Sequence, residues 1–281
     1  MAIKKKLNII IFGASGSIGD YLFNQFYEEG HNLLLYIRNK KKINFFKRKF
    51  KNHKGFQTIK FEQLDITKSN DLKKKILHHK NFIKKTDIIV NACGDQGEIG
   101  NFFQLNLKNF YKTFEINFFS QIIFFRTIYS SIKNNKKLLI LLFSGGGVTN
   151  SRKNFSSYVL SKVALVKLVE ILSEEFKNKN IRINAISPGI IDSQMTRAIL
   201  KQNKKNVDTK EINKIKKEIV KSNKSLYKIV KLIKFLNSKK GQNISGKIIS
   251  SRWDNYTKWS MKKIKKISNS DIFNLRRIQK I

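Results

Sequence analysis

Tyr158 and Lys162 stand four residues apart. On a helix, positions i and i+4 are neighbours on one face. A free phenol titrates near ~10 and is a poor acid or base at neutral pH. An ammonium held beside it favours the phenolate and draws that titration towards working pH. Such a pair passes a proton to or from a carbonyl or alcohol oxygen. In a lysine-rich chain the spacing arises easily by chance, so its company carries the weight. Asn117 and Ser144 lie upstream, and a glycine-rich turn lies near the N-terminus.

That turn is Gly13-Ala14-Ser15-Gly16-Ser17-Ile18-Gly19. The apolar run 7–12 before it reads as a buried strand. The segment 17–29 after it has helical periodicity, with Ile18, Leu22 and Phe26 on one side and Gly30 as the stop. A strand-to-helix turn aims backbone N–H groups and the positive helix end at one point, which suits a pyrophosphate. Glycines permit tight turning and close backbone approach. Without a ligand the same turn is simply a structural connection. Sites that prefer NAD place an acid roughly 20 residues beyond such a turn. Here the second strand ends Tyr36-Ile37-Arg38-Asn39-Lys40, without a carboxylate. The missing acid and Arg38 argue for a 2′-phosphate, hence NADP.

These groups need a scaffold. Runs 33–37, 56–61, 87–90, 137–143, 181–186 and 247–250 read as further strands. Segments 71–79, 108–133 and 155–178 read as helices, and 203–237 as helical pieces. The strands alternate with helices and lack a period of two. That pattern predicts an α/β chain with a parallel sheet covered on both faces. There is no internal repeat and no linker rich in Pro, Gly or Ser. Residues 1–250 are expected to form one domain. Residues 251–281 are a basic C-terminal extension with Trp253 and Trp259 near its start. The sequence leaves open whether it packs on the domain, meets a partner or is disordered.

The chain has 281 residues, 41% of them hydrophobic, enough for a full core. No apolar run reaches the roughly 18 residues that cross a bilayer. The basic start, 1–6, precedes an apolar run too short for a signal-peptide core. A cytoplasmic location without a membrane span is therefore expected. The single cysteine, Cys93, excludes an internal disulfide framework and a cysteine-cluster metal site; it reads as a small packing residue in its turn. His78-His79 is a poor chelate, because adjacent helical residues diverge. It reads as solvated, and no metal is expected. Net charge is 58 − 19 = +39. Lysine rises together with isoleucine, asparagine and 22 phenylalanines, and there is one proline. An AT-rich genome explains that whole set, whereas phosphate binding explains only the lysines. No specific nucleic-acid partner is expected, only weak, salt-sensitive sticking to polyanions.

Taken together, these residues resemble the short-chain dehydrogenase/reductase family over about 7–250. The glycine turn matches in place and type. Asp65 matches the acid after the third strand, which implies a contact to the adenine ring. Asn91 and Gly94 match parts of the family's Asn-Asn-Ala-Gly turn. Pro188-Gly189 matches the turn after the sixth strand, and Ser193 sits where a Thr or Ser contacts the nicotinamide carboxamide. Asn117, Ser144, Tyr158 and Lys162 match the catalytic tetrad. The resemblance implies a doubly wound Rossmann fold with a mostly parallel, seven-stranded sheet and helices on both faces. It implies that Tyr158 exchanges the proton, Ser144 orients the substrate oxygen, Lys162 lowers the phenol pKa and binds the ribose, and Asn117 anchors a relay water. Gly13, Ser15, Gly16, Ser17, Ile18, Gly19 and Arg38 would hold the rest of the dinucleotide, NADP with NAD as the alternative. Long helices of this family build a dimer contact, so a homodimer or homotetramer is expected, and 193–220 is expected to be a substrate lid.

The sequence departs from the family pattern in places. The turn reads Gly-x-x-Gly-x-x-Gly, Phe12 replaces a threonine, and the second Asn of the 91–94 turn is absent. Ser144 precedes Tyr158 by 14 residues, one more than the family spacing, which aligns Gly145 with the serine. The expected activity is carbonyl–alcohol interconversion by hydride transfer, on a small molecule such as a 3-oxoacyl thioester or a keto-sugar. Two other readings stay open: a catalytically silent NADP(H)-binding regulator, and a polyanion binder.

Overall fold

The structure, a computed structural model, describes residues 5–51, 55–132 and 137–277. The first four residues of the basic start, the expected helix end at Lys133 and the last four residues of the extension lie outside them. In chain order the elements are β1 (Asn8–Phe12), α1 (Ser17–Glu28), β2 (Asn32–Ile37), α2 (Lys40–Lys49), β3 (Ile59–Gln63), α3 (Ser69–His78), α4 (Lys80–Lys84) and β4 (Ile88–Asn91). Next come α5 (Leu107–Phe114), a π-helical turn (Glu115–Phe119), α6 (Ser120–Ile132), β5 (Leu138–Phe143), α7 (Ser156–Glu175) and β6 (Ile181–Ser187). The chain finishes with α8 (Gln194–Leu200), α9 (Thr209–Ile219), α10 (Ser222–Asn237), β7 (Ile248–Ser250) and α11 (Met261–Ser268).

Among the described residues, seven strands form one sheet in the order β3-β2-β1-β4-β5-β6-β7, and every pairing is parallel. The order reverses between β1 and β4. A doubly wound sheet opens its binding crevice there, at the carboxyl ends of the strands. Both faces are covered, which explains the apolar runs without alternation. Ile9 and Ile11 of β1 face a layer formed by α1, α10 and α11. Ile10 and Phe12 face the opposite layer of α3, α6 and α7. Each such fully buried side chain stabilises by about 2 kcal/mol. Phe12, standing for the family's threonine, stacks on Tyr36 at 4.4 Å and meets Phe124 edge-on at 4.8 Å. It is a core residue.

Three expectations need correction. Strand β3 begins at Ile59, not at 56, because Phe56 lies fully in solvent and Leu33 pairs with Ile59. The single helix expected over 108–133 is interrupted by the π-helical turn. Insertions of that kind mark functional positions, and Asn117 sits inside this one. His79 is not solvated. It is buried, with Nε2 3.1 Å from Glu62 Oε2, while Lys75 Nζ lies 2.9 Å from Glu62 Oε1. Glu62, His78 and His79 bring their donor atoms within 4.8 Å of one another, and Lys75 already neutralises that carboxylate.

Helix α2 carries too short an apolar stripe, Ile43 and Phe46, to be legible in the sequence. Its start is set by Asn39, whose side chain accepts from Lys42 N at 3.1 Å. The extension packs on the domain. Trp259, Ile264 and Ile267 enter the core beside α10. Ile248 N donates to Phe273 O at 2.9 Å, and Asn274 Nδ2 donates to Gly246 O at 2.9 Å. The chain thus covers the β7 edge of its own sheet, which removes an exposed pairing edge. Among the described residues no helix is long and apolar enough to cross a membrane.

Candidate active site

The carboxyl ends of β1, β4, β5 and β6 border one cleft of about 1270 Å³. That exceeds the 300–1,000 Å³ typical of a single-ligand pocket, so it has room for two ligands. The glycine turn forms its floor. Gly13 has φ +72°, a conformation that favours glycine, and donates to Tyr36 O at 3.1 Å. A Cβ on Gly19 would overlap the Gly13 carbonyl, so only glycine lets α1 sit this close to the turn. Gly16 caps α1 without a side-chain hydrogen bond to the first turn. The helix N-terminus therefore keeps its N–H groups open towards the cleft, where Ser15, Ser17 and Ile18 also lie.

Arg38 lies on the same wall. Beside it is Lys42, which sequence reasoning missed; its Nζ donates to Ser15 O at 2.9 Å. Helix α2, itself missed, puts Lys42 there. Asp65 lines the cleft and accepts from Thr67 N at 3.1 Å and Thr67 Oγ1 at 2.8 Å. Gly94, Pro188, Gly189 and Ser193 line it too. Ser193 Oγ accepts from Thr196 N at 3.1 Å and so starts α8.

Asn91 is placed otherwise. It is buried behind the wall, donating to Gln121 Oε1 at 2.7 Å and accepting from Cys93 N at 3.1 Å. It shapes the turn and does not face the cleft. Cys93 does face it, but burial pushes its thiol up to about 12 against the pull of Arg38 and Lys162. A protonated thiol is a poor nucleophile.

Tyr158 and Lys162 lie one turn apart on α7, and both line the cleft. Lys162 Nζ donates to Phe143 O at 3.0 Å and lies 6.0 Å from the Tyr158 ring centroid. Burial dominates both groups. It raises the phenol above its ordinary value, opposed by Arg152, and lowers the amine to about 8. Arg152 is the cation that opposes the rise of the phenol, while Lys162 stands one helical turn away.

Asn117 is buried beside them. Its Nδ2 donates to Asp95 O at 2.9 Å and to Ser161 Oγ at 3.0 Å, and its Oδ1 accepts from Asp95 N at 2.8 Å. A Cβ on Gly94 would lie 3.4 Å from Lys162 Nζ and 3.5 Å from Asn117 Oδ1, so the two groups flank the same glycine. The amide is fully engaged and ties the β4 turn to α7. Ser144 is buried on the cleft wall, with its N–H donating to Ile186 O at 2.9 Å. Among the described residues its hydroxyl makes no hydrogen bond to Tyr158. Gly145 is the residue against the phenol, and a Cβ there would overlap the phenol oxygen.

Helices α8 and α9, the segment expected as a substrate lid, border the outer side. Helices α8 and α9 share a small apolar core with Phe155. Arg152 Nε donates to Glu211 Oε1 at 2.9 Å, and Arg252 pairs with Glu218, so two ion pairs fasten α9 across the opening. Sequence reasoning missed both pairs, since each joins segments far apart in the chain.

Comparison with known proteins agrees with this architecture. A sequence model of the family described as short chain dehydrogenase matches residues 7–204. The dehydrogenase/reductase SDR family member 4 of Caenorhabditis elegans is 24% identical over 190 residues, covering 68% of this chain and 73% of that protein. A 3-oxoacyl-[acyl-carrier-protein] reductase of Rickettsia bellii is 25% identical over 243 residues, 85% of this chain and 92% of its own. Among solved structures, NAD+-bound xylitol dehydrogenase superposes with a TM-score of 0.75 at 19% identity, over 88% of this chain and 98% of the other. ElxO with NADP bound gives 0.69 at 20%, over 88% and 97%. The family match spans more than half of the chain and includes the glycine turn, Tyr158 and Lys162: the chain belongs to the short-chain dehydrogenase/reductase family of oxidoreductases.

Proposed function

We propose that this chain interconverts a carbonyl and an alcohol with NADP(H) as the hydride carrier. One observation carries the reading: the Tyr158–Lys162 pair and the glycine turn open into one cleft. The turn fits a pyrophosphate, because Gly19 admits close approach and the α1 N-terminus has no side-chain cap. Arg38 and Lys42 would take the 2′-phosphate, and Asp65 would lie by the adenine end. ElxO was solved with NADP and xylitol dehydrogenase with NAD+, so NAD stays the alternative cofactor. When bound, the nicotinamide supplies or accepts the hydride. Tyr158 gives the proton to the substrate oxygen, or takes it from the alcohol. Lys162 adds positive charge beside that oxygen and the ribose. Asn117 holds the turn that carries Gly94 against Lys162. Ser144, on the cleft wall, is the hydroxyl candidate for orienting the oxygen.

The substrate is a 3-oxoacyl thioester, as the name of the Rickettsia relative suggests, or a keto-sugar. Purified protein should oxidise NADPH with a member of a panel of those two kinds. Replacing Arg38 by Ser should weaken NADPH at least tenfold and leave NADH unchanged, since a charge-assisted phosphate contact supplies about 1.5–3 kcal/mol. Equal loss for both cofactors would remove Arg38 from the 2′-phosphate site. The silent-binder reading draws on Gly145, a residue without a hydroxyl, standing against the phenol; it requires NADP(H) binding with no turnover across the panel. Exposed Phe103 before α5, Leu107 and Tyr111 on it and Phe119 in the π-helical turn after it suit a second copy of this chain. A monomeric mass in solution would exclude that assembly.

A further inference from the structure

Trp253 lines the outer cleft and is 71% exposed. A tryptophan left this open gains nothing from the core. Yet its position is built. Ser250 Oγ accepts from Arg252 N at 3.2 Å and from Trp253 N at 3.0 Å, while Asp254 Oδ2 accepts from Ser250 N at 2.7 Å. This reciprocal turn presents the indole outward. The guanidinium of Arg252 lies 4.5 Å from the indole ring and is itself paired with Glu218 of the lid. The result is an exposed aromatic face on the cleft lining, backed by Arg252. The same cleft is lined by Lys153, Lys204, Lys205 and Lys210, all exposed and none in an ion pair among the described residues. The lid acids differ: Glu211 and Glu218 are taken by arginines, and Asp208 caps α9 by accepting from Glu211 N at 2.7 Å. The mouth is therefore a stacking face in a lining with an excess of positive charge.

We infer that the outer cleft binds the distal part of the substrate, a phosphate-bearing group whose ring stacks on Trp253 while the lid lysines meet its phosphates. The inference rests on the oxidoreductase reading and names its substrate class: a diphosphate-linked compound. Two sources share that chemistry, a sugar nucleotide and a coenzyme A thioester. Aromatic stacking of a base or similar ring contributes about 1–3 kcal/mol. Trp253 is thus a specificity-determining residue and takes no part in the proton transfer.

The chain has two tryptophans, and Trp259 is 2% exposed. The water-exposed emission therefore belongs to Trp253, with the Trp253→Phe variant as baseline. The full-length protein, loaded with NADP+ as checked by calorimetry, is titrated with UDP-glucose and separately with acetoacetyl-CoA. One of them should shift the Trp253 emission to the blue. By calorimetry Trp253→Ala should weaken that probe about tenfold, and Trp253→Phe much less, in line with the loss of one stacked ring. Raising salt from about 50 to 300 mM should also weaken it. A response to UDP-glucose identifies the sugar-nucleotide source, and one to acetoacetyl-CoA the thioester source. If NADP+ binds and neither probe moves the emission, or Trp253→Ala binds as the parent does, the inference is overturned and the oxidoreductase reading stands. If neither NADP+ nor NAD+ binds, both fall. Substitution of so exposed a residue should leave stability nearly unchanged, so misfolding does not blur the result.

Discussion

Replacing Tyr158 by Phe should slow carbonyl reduction about a thousandfold and leave NADPH binding unchanged. Positioned general acids contribute about 10²–10⁴ in rate, and Tyr158 is the phenol that lines the cleft beside Lys162 and Gly145. The ring stays, so packing in the wall is kept and stability should move by less than about 1 kcal/mol. The measurement is single-turnover NADPH oxidation with the best panel substrate, beside NADPH affinity. A Phe variant as fast as the parent removes Tyr158 from the chemistry. The pH profile has a sign as well. Burial raises the phenol above its ordinary value, so the free protein keeps it protonated throughout the neutral range. Reduction, which needs the proton, should hold level there, while alcohol oxidation, which needs the phenolate, should climb with pH. Profiles of kcat/KM report such free-enzyme groups.

Lys162→Met should abolish most turnover without lowering stability at pH 7. The amine is 3% exposed, and burial lowers its pKa from 10.5 to about 8. That difference, 10.5 − 8, corresponds to roughly 3 kcal/mol of penalty for holding the charge inside. The folded pKa lies below the unfolded one, so the unfolded chain binds more protons between about 8 and 10.5. The penalty is complete below about 8 and vanishes as pH passes 10.5, so this group makes the parent more stable with rising pH across that window. Methionine removes the penalty but also the hydrogen bond to Phe143 O, which is about 1 kcal/mol. Denaturant unfolding at neutral and alkaline pH should show the Met variant at least as stable at pH 7 and without the alkaline rise. A variant clearly less stable at pH 7 would contradict the burial cost. On the proposed mechanism the lysine is kept for catalysis against stability, as at other functional positions that cost stability.

The sheet was readable because its strands are buried on both sides. Runs such as 7–12 and 137–143 need no partner to declare themselves, and β1 and β5 appear within one residue of those limits. The order of the seven strands, with its reversal beside β1, follows from parallel crossovers alternating with helices. Local rules failed where a distant contact decides. Phe56 looked like strand material, but pairing with β2 begins at Ile59. The π-helical turn at Asn117 has no local signal, because it arises where that side chain is drawn onto Asp95 and Ser161, the latter 44 residues away.

The same division runs through the site. Residue types and spacing alone selected the glycine turn, Arg38, Tyr158 and Lys162, since each depends on one helix face or one strand-to-helix junction, and the structure opens all of them into one cleft. Only the tertiary structure decided what surrounds them. It set Asn91 behind the wall, Gly145 against the phenol, Lys42 beside Ser15 and Trp253 at the mouth. It also set the burial of both members of the pair. The sequence brings the ammonium within a helical turn of the phenol, but desolvation is a property of the whole packed interior, and it raises the phenol while lowering the amine.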